Sequence, residues 1–191
     1  MNKLKSFLFI AAMLLVAVSV SAQASFGLKA GLNMSTVTSG GESADMKIGY
    51  KVGPALDVAL APTMSIQAAA LLSLKGAKNS DANYLEIPIC FAYKFPIAPD
   101  TKIYLNAGPY FAYGIFGKTG SIDTFDDDFG IEKLDYGATI GVGAEVLKFN
   151  FGLNYDFGLA DISKSLSIPD MEIIKNKVRN GNFWLSVGFY F

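Results

Sequence analysis

The sequence predicts an all-β fold, an eight-stranded antiparallel up-and-down transmembrane β-barrel preceded by a cleaved signal peptide, on three observations. Apolar and polar residues alternate in eight runs of about ten residues, the length a tilted strand needs to cross a bilayer. The connections between runs alternate between short and long. The ionisable residues of the runs all fall on the parity opposite the apolar ones.

The N-terminal residues are set aside first. Residues 1–22 carry Lys3 and Lys5, an apolar stretch over 7–18, and Val20-Ser21-Ala22, the small-residue spacing of a signal-peptidase site. Cleavage is expected between Ala22 and Gln23. The apolar stretch is shorter than the roughly 20 residues of a membrane-spanning helix. Residues 23–191 then form one domain, the barrel. Loss of Lys3 and Lys5 leaves 14 basic residues against 17 acidic, a net charge of −3, with no basic footprint for nucleic acid. A single cysteine, Cys90, rules out an internal disulfide.

The first run, 25–35, places Phe26, Leu28, Ala30, Leu32 and Met34 on one parity and Lys29, Asn33 and two glycines on the other. The run 48–60 repeats the pattern, and 65–75, 84–95, 102–114, 135–146, 149–159 and 182–191 complete the set. Short connections at 61–64, 96–101 and 147–148 alternate with longer ones at 36–47, 76–83, 115–134 and 160–181. This is the asymmetry of outer-membrane barrels, whose turns are tight on one side and whose loops are larger on the other.

Lys29, Lys51, Asp57, Lys75, Glu86, Lys94, Lys102, Asp135, Glu145 and Asp156 share the non-apolar parity, and none of them is expected to face lipid. A basic residue on the lipid face at mid-depth costs about 2–4 kcal/mol. A soluble β-sandwich alternates too, with its apolar face turned into a core. The glycines favour the membrane reading. Gly27, Gly31, Gly49, Gly53, Gly108, Gly137, Gly141, Gly143, Gly152 and Gly188 share the charged parity, as the crowded interior of a small closed barrel demands and a water-facing surface does not. Pro54, Pro88 and Pro109 stand inside proposed strands, where each lacks a ladder donor, so bulges or local gaps are expected there.

Six segments carry a family resemblance: Phe26-Gly27-Leu28-Lys29-Ala30-Gly31-Leu32-Asn33, Ser73-Leu74-Lys75-Gly76-Ala77-Lys78, Tyr84-Leu85-Glu86-Ile87-Pro88, Asn106-Ala107-Gly108-Pro109-Tyr110, Tyr155-Asp156-Phe157-Gly158-Leu159 and Gly188-Phe189-Tyr190-Phe191. In this order they resemble the PorT-like, or porin-family, outer-membrane β-barrel proteins of Gram-negative bacteria, over essentially the whole chain after residue 22. The resemblance implies residence in the outer membrane and no single activity. Its named member is associated with secretion of surface proteins.

The five inward lysines balance five inward acids, which favours a salt-bridged plug over a lined pore or ligand pocket, because an eight-stranded barrel is only just wide enough for its own side chains. Glu86, near Pro88 on the same parity, is the acid expected to be buried and paired. Phe189 and Phe191 resemble the terminal aromatic signal read by the barrel-assembly machinery, and an aromatic girdle gives the same residues. Asp123, Asp126, Asp127 and Asp128 cluster in a long loop without the spacing of a calcium site, so a solvated acidic tip is expected. Within 166–179, one or two helical turns are expected after Pro169-Asp170.

The chain has no histidine, which removes Ser-His-Asp and Cys-His nucleophile systems and the usual zinc sites. Cys90 has no visible activating neighbour, and interior packing accounts for Asp57, Glu86 and Asp156 without a catalytic carboxylate pair. The resulting expectation is a non-enzymatic outer-membrane barrel with a charge-paired interior, no cofactor and no metal. Its partners are outer-membrane lipid and, during biogenesis, the assembly machinery. Two alternatives stand beside it: a narrow pore or small-ligand carrier, and an accessory of a protein-secretion or adhesion apparatus.

Overall fold

A computed structural model describes residues 23–39, 42–43, 47–77, 80–119, 122–123, 133–160 and 178–191. Its strands are β1 (Gln23–Ser39), β2 (Lys47–Ala61), β3 in two pieces (Met64–Ala69 and Leu71–Ala77), β4 (Ser80–Ala98), β5 (Thr101–Phe116), β6 (Leu134–Val146), β7 (Phe149–Gly158) and β8 (Val178–Tyr190). Each pairs antiparallel with its sequence neighbours, and β8 pairs with β1, so the eight-stranded sheet closes on itself. The seam runs unbroken from Gly27 opposite Tyr190 to Ser39 opposite Val178. The Phe191 amide extends it by donating to the Phe26 carbonyl at 2.8 Å. Among the described residues there is no helix.

Burial follows the period of two, inside out. Along β7, Phe149, Phe151, Leu153, Tyr155 and Phe157 are exposed, while Asn150, Gly152, Asn154, Asp156 and Gly158 between them are buried. A water-soluble sandwich would reverse that order. An exposed apolar wall around a buried polar interior suits a bilayer.

The three prolines open gaps rather than bulges. Between β2 and β3 the register holds from Val52 opposite Leu72 to Ala55 opposite Ala69, and the ladder lapses at Pro54 and Ala70. There the Ala70 amide donates to the Pro54 carbonyl at 3.0 Å, and proline has no N–H with which to return the bond. Between β4 and β5, pairing stops at Pro88 opposite Tyr110 and resumes in the same register at Phe91 opposite Ala107. Register shifts occur elsewhere, at Ala59/Ala61, Asn83/Tyr84 and Pro96/Ala98.

The strands run past the expected bounds into several connections, β1 to Ser39, β4 to Ala98 and β5 to Phe116. The stretch 76–83 is mostly strand, since β3 and β4 stay paired up to Ala77 opposite Ser80. Backbone pairing continues past the residues whose side chains show a two-faced pattern, because the ladder does not depend on which face is apolar. Val178 and Arg179, expected at the end of a helical segment, belong to β8. The rest of that segment, residues 1–22 with the expected cleavage site at Ala22, and Asp126, Asp127 and Asp128 lie outside the described residues. Asp123 belongs to a two-residue ladder, Ile122–Asp123 against Lys118–Thr119.

Candidate functional site

The barrel interior holds two ionic layers. In the layer nearer the long loops, Lys51 of β2 forms ion pairs with Glu86 of β4 and with Asp156 of β7, the latter at 2.6 Å. Lys75 of β3 lies 2.6 Å from Glu86 and 3.6 Å from Asp135 of β6. Asp156 also accepts from Asn182 Nδ2 at 2.9 Å and Trp184 Nε1 at 3.2 Å, both on β8. Asn33 of β1 donates to Asn182 Oδ1 at 2.9 Å. The Tyr110 hydroxyl of β5 donates to the Asp135 carboxylate at 3.4 Å. All eight strands thus send a side chain into one cross-section.

Aromatic rings cover the ammonium groups of this layer. Lys51 Nζ sits 4.5 Å from the Trp184 ring centroid and Lys75 Nζ 4.6 Å from that of Tyr110. A ring face is a favourable neighbour for a desolvated cation. Lys51, Lys75, Glu86, Asp135 and Asp156 are all at most 2 % exposed. Burying these charges is costly, and multiple partners offset the desolvation only while every member is present.

The second layer lies toward the short turns. Lys94 of β4 is 2.8 Å from Asp57 of β2 and 2.8 Å from Glu145 of β6. Asp57 accepts from Gln67 Nε2 at 3.0 Å and Ser65 Oγ at 3.3 Å, both on β3. Gln67 in turn accepts from Asn106 Nδ2 of β5 at 2.9 Å. Tyr104 of β5 reaches over Gly143 of β6 to donate to Asn150 Oδ1 of β7 at 3.0 Å.

Two inward lysines stand apart. Lys29 is buried and forms no ion pair among the described residues; its Nζ lies 5.6 Å from the Trp184 centroid. Lys102 is half-buried and in register with Glu145 across the β5–β6 ladder, again with no ion pair among the described residues. Beside Lys29 is a cavity of about 20 Å³ lined also by Cys90, Asn106, Thr139, Asn154 and Trp184. Among the described residues no three metal-ligating side chains converge. At the seam, Phe189 packs edge-on against Phe149 at 5.2 Å and Phe191 at 5.7 Å, with Phe191 exposed.

Residue-by-residue reading for charge passes over Asn33, Gln67, Tyr104, Tyr110, Asn182 and Trp184, which complete the two networks. Their parity, shared with the lysines, was the available signal.

Residues 19–164 match the family described as outer membrane protein beta-barrel domain. No curated protein matches the chain in sequence. Among solved structures, the chain is similar to Neisserial surface protein A (NspA), at 17 % identity and a TM-score of 0.55, covering 88 % of this chain and 99 % of that one. It is also similar to the outer membrane protein OprG from Pseudomonas aeruginosa, at 14 % identity and a TM-score of 0.51, covering 89 % of this chain and 97 % of that one. At these identities the likeness is one of fold. The inside-out wall, the closed strand order and the matched residues converge: the chain belongs to the outer membrane protein beta-barrel domain family.

Proposed function

We propose that the protein is a sealed outer-membrane anchor, a barrel that does not conduct and that holds its long loops at the cell surface. The observation that carries this reading is the cross-section around Lys51, Glu86 and Asp156, to which all eight strands contribute. An eight-stranded lumen has little room beyond its own side chains, and here ion pairs fill it. In planar bilayers the purified protein is expected to give no conductance steps, while the removal of charge in Lys51→Met with Glu86→Gln opens occasional ones. Regular steps from the unaltered protein would replace this reading with a narrow pore.

The ten inward charges belong to the proposal as structural residues rather than as a ligand pocket. Export through a signal peptide ending at Ala22, and recognition of Phe189 and Phe191 by the assembly machinery, belong to it as well. Deleting Phe191 is expected to lower the amount of folded protein in the outer membrane.

The PorT-like resemblance adds an accessory role in secretion of surface proteins. One observation favours a presenting role: the pairing of β1 with β8 continues to Ser39 opposite Val178, and short ladders at Glu42–Ser43 and Lys118–Thr119 stiffen the bases of the long loops. Crosslinking from residue 125 or 170 in intact cells, followed by affinity capture, is expected to recover a surface or secretion protein. Recovery of lipid alone would remove the accessory role.

A further inference from the structure

Outside the lumen, the lipid-facing wall of β6, β7, β8 and β1 holds a groove of about 770 Å³. It crosses the seam: Ala30 of β1 stands opposite Val187 of β8, Val187 opposite Phe151 of β7, and Phe151 opposite Ala144 of β6. Ala30 and Ala144 are its short side chains, and Leu32, Phe151 and Leu185 are its tall, exposed ones. Between them the groove meets bare backbone at Gly31, Gly143 and Gly152, backed in the lumen at the last two by Tyr104. Apart from Ser186, whose hydroxyl donates to the Gly152 carbonyl, the lining is apolar.

The height of the groove selects its occupant. Ala144 lies three residues before the Leu147-Lys148 turn and Phe151 three after it, about 10 Å along the strand. Outer-membrane barrels turn their short connections to the periplasm, which places the groove in the periplasmic leaflet, among glycerophospholipids rather than lipopolysaccharide. At its foot Lys148 is exposed. Asp100 is exposed in the adjoining turn, which the Leu147 amide holds by donating to the Asp100 carbonyl at 2.8 Å. A cation and an anion at headgroup depth complement a phosphate and an ammonium. Left unfilled, the groove forfeits dispersion contacts on its lining atoms, and an acyl chain laid along it recovers them.

We propose that this groove binds an acyl chain of a zwitterionic glycerophospholipid of the periplasmic leaflet, with the lipid phosphate on Lys148 and its ammonium on Asp100. The site rests on the outer-membrane reading of the barrel and is independent of whether the lumen conducts.

Native mass spectrometry tests it. The unaltered protein, folded into vesicles of phosphatidylethanolamine and phosphatidylglycerol and released into mild detergent, is expected to retain phosphatidylethanolamine. Ala144→Phe and, separately, Ala30→Phe fill the groove from the lipid side, and each is expected to cut retention about tenfold. Lys148→Ala is expected to weaken retention, while Ala107→Phe, on the lipid face of β5 away from the groove, leaves it unchanged. Fast migration on a cold detergent gel identifies the variants that have folded. An unaltered protein that retains no phospholipid, or folded groove-filling variants that retain as much as the unaltered protein, overturns the site. Retention of phosphatidylglycerol in preference, or undiminished retention in Lys148→Ala, overturns the headgroup pairing. A dimer that the groove-filling variants abolish overturns the lipid site in favour of a second copy of the chain. Cell fractionation that finds the protein outside the outer membrane would instead sink the membrane reading on which the site rests.

Discussion

Lys51 is the side chain on which the upper layer turns. It joins two carboxylates from strands that are not neighbours, Glu86 on β4 and Asp156 on β7, and so ties opposite walls of the barrel together. Glu86 is its counterpart, shared between Lys51 and Lys75. Glu86→Gln keeps the shape and removes the charge, leaving two buried lysines with fewer partners. Loss of one member of a buried pair costs about 3–5 kcal/mol, and the upper value is not expected because Asp156 and Asp135 remain. A fall of about 3 kcal/mol in unfolding free energy, read from urea titration in detergent micelles, is the expected result. A residue of the opposite kind is Leu147, which opens the two-residue turn between β6 and β7 with φ at 54° and a side chain 73 % exposed. That left-handed conformation costs an L side chain about 1–2 kcal/mol, and little burial offsets it. Leu147→Gly is expected to stabilise the barrel by about 1 kcal/mol in the same titration, with the hydrogen bond from the residue 147 amide to the Asp100 carbonyl retained.

At the scale of the strand, two of the interior glycines, Gly137 and Gly143, are seats for tyrosines. A Cβ on Gly143 of β6 would run into the ring and hydroxyl of Tyr104 and into the Phe151 carbonyl, and one on Gly137 would meet Tyr110 Cε1 at 2.7 Å. Tyr104 and Tyr110 lie flat across neighbouring strands only because those positions carry no side chain. Gly143→Ala is expected to cost about 3 kcal/mol, and loss of the Tyr104 contact would show as changed tyrosine fluorescence. The glycine row was visible in the sequence because it shares a parity with the lysines, and parity is a property of one strand at a time. So were the strands themselves, for the same reason. What a single strand does not carry is its height against a strand across the lumen. The meeting of Lys51 with Asp156 depends on stagger accumulated over the β2–β1, β1–β8 and β8–β7 ladders, and no local pattern encodes that sum. Strand ends were equally hidden: β3 and β4 stay paired to Ala77 opposite Ser80, beyond the residues whose sequence alternates.

For the molecule as a whole, closure governs both stability and exposure. An open eight-stranded sheet would present two unpaired edges, whose N–H and C=O groups have no partner in lipid. Here β1 and β8 remove both edges, and their pairing is continuous along the seam. The β7–β8 ladder is continuous too, from Phe149 opposite Phe189 to Phe157 opposite Gly181. The barrel tolerates proline on β2, β4 and β5, where the ladders already lapse, but β8 has no such gap on either side. Leu185 sits mid-strand on the lipid face, opposite Leu32 of β1 and Leu153 of β7. Leu185→Pro would withdraw a donor from the closing strand and strain its neighbours, whereas Leu185→Ala trims only lipid-facing surface. On a cold detergent gel the unaltered protein and Leu185→Ala are therefore expected to migrate ahead of their boiled forms, and Leu185→Pro is expected to lose the fast-migrating band. Retention of that band by the proline variant would mean that closure does not depend on an uninterrupted β8, and the tolerance of proline elsewhere would then need a cause other than the pre-existing gaps.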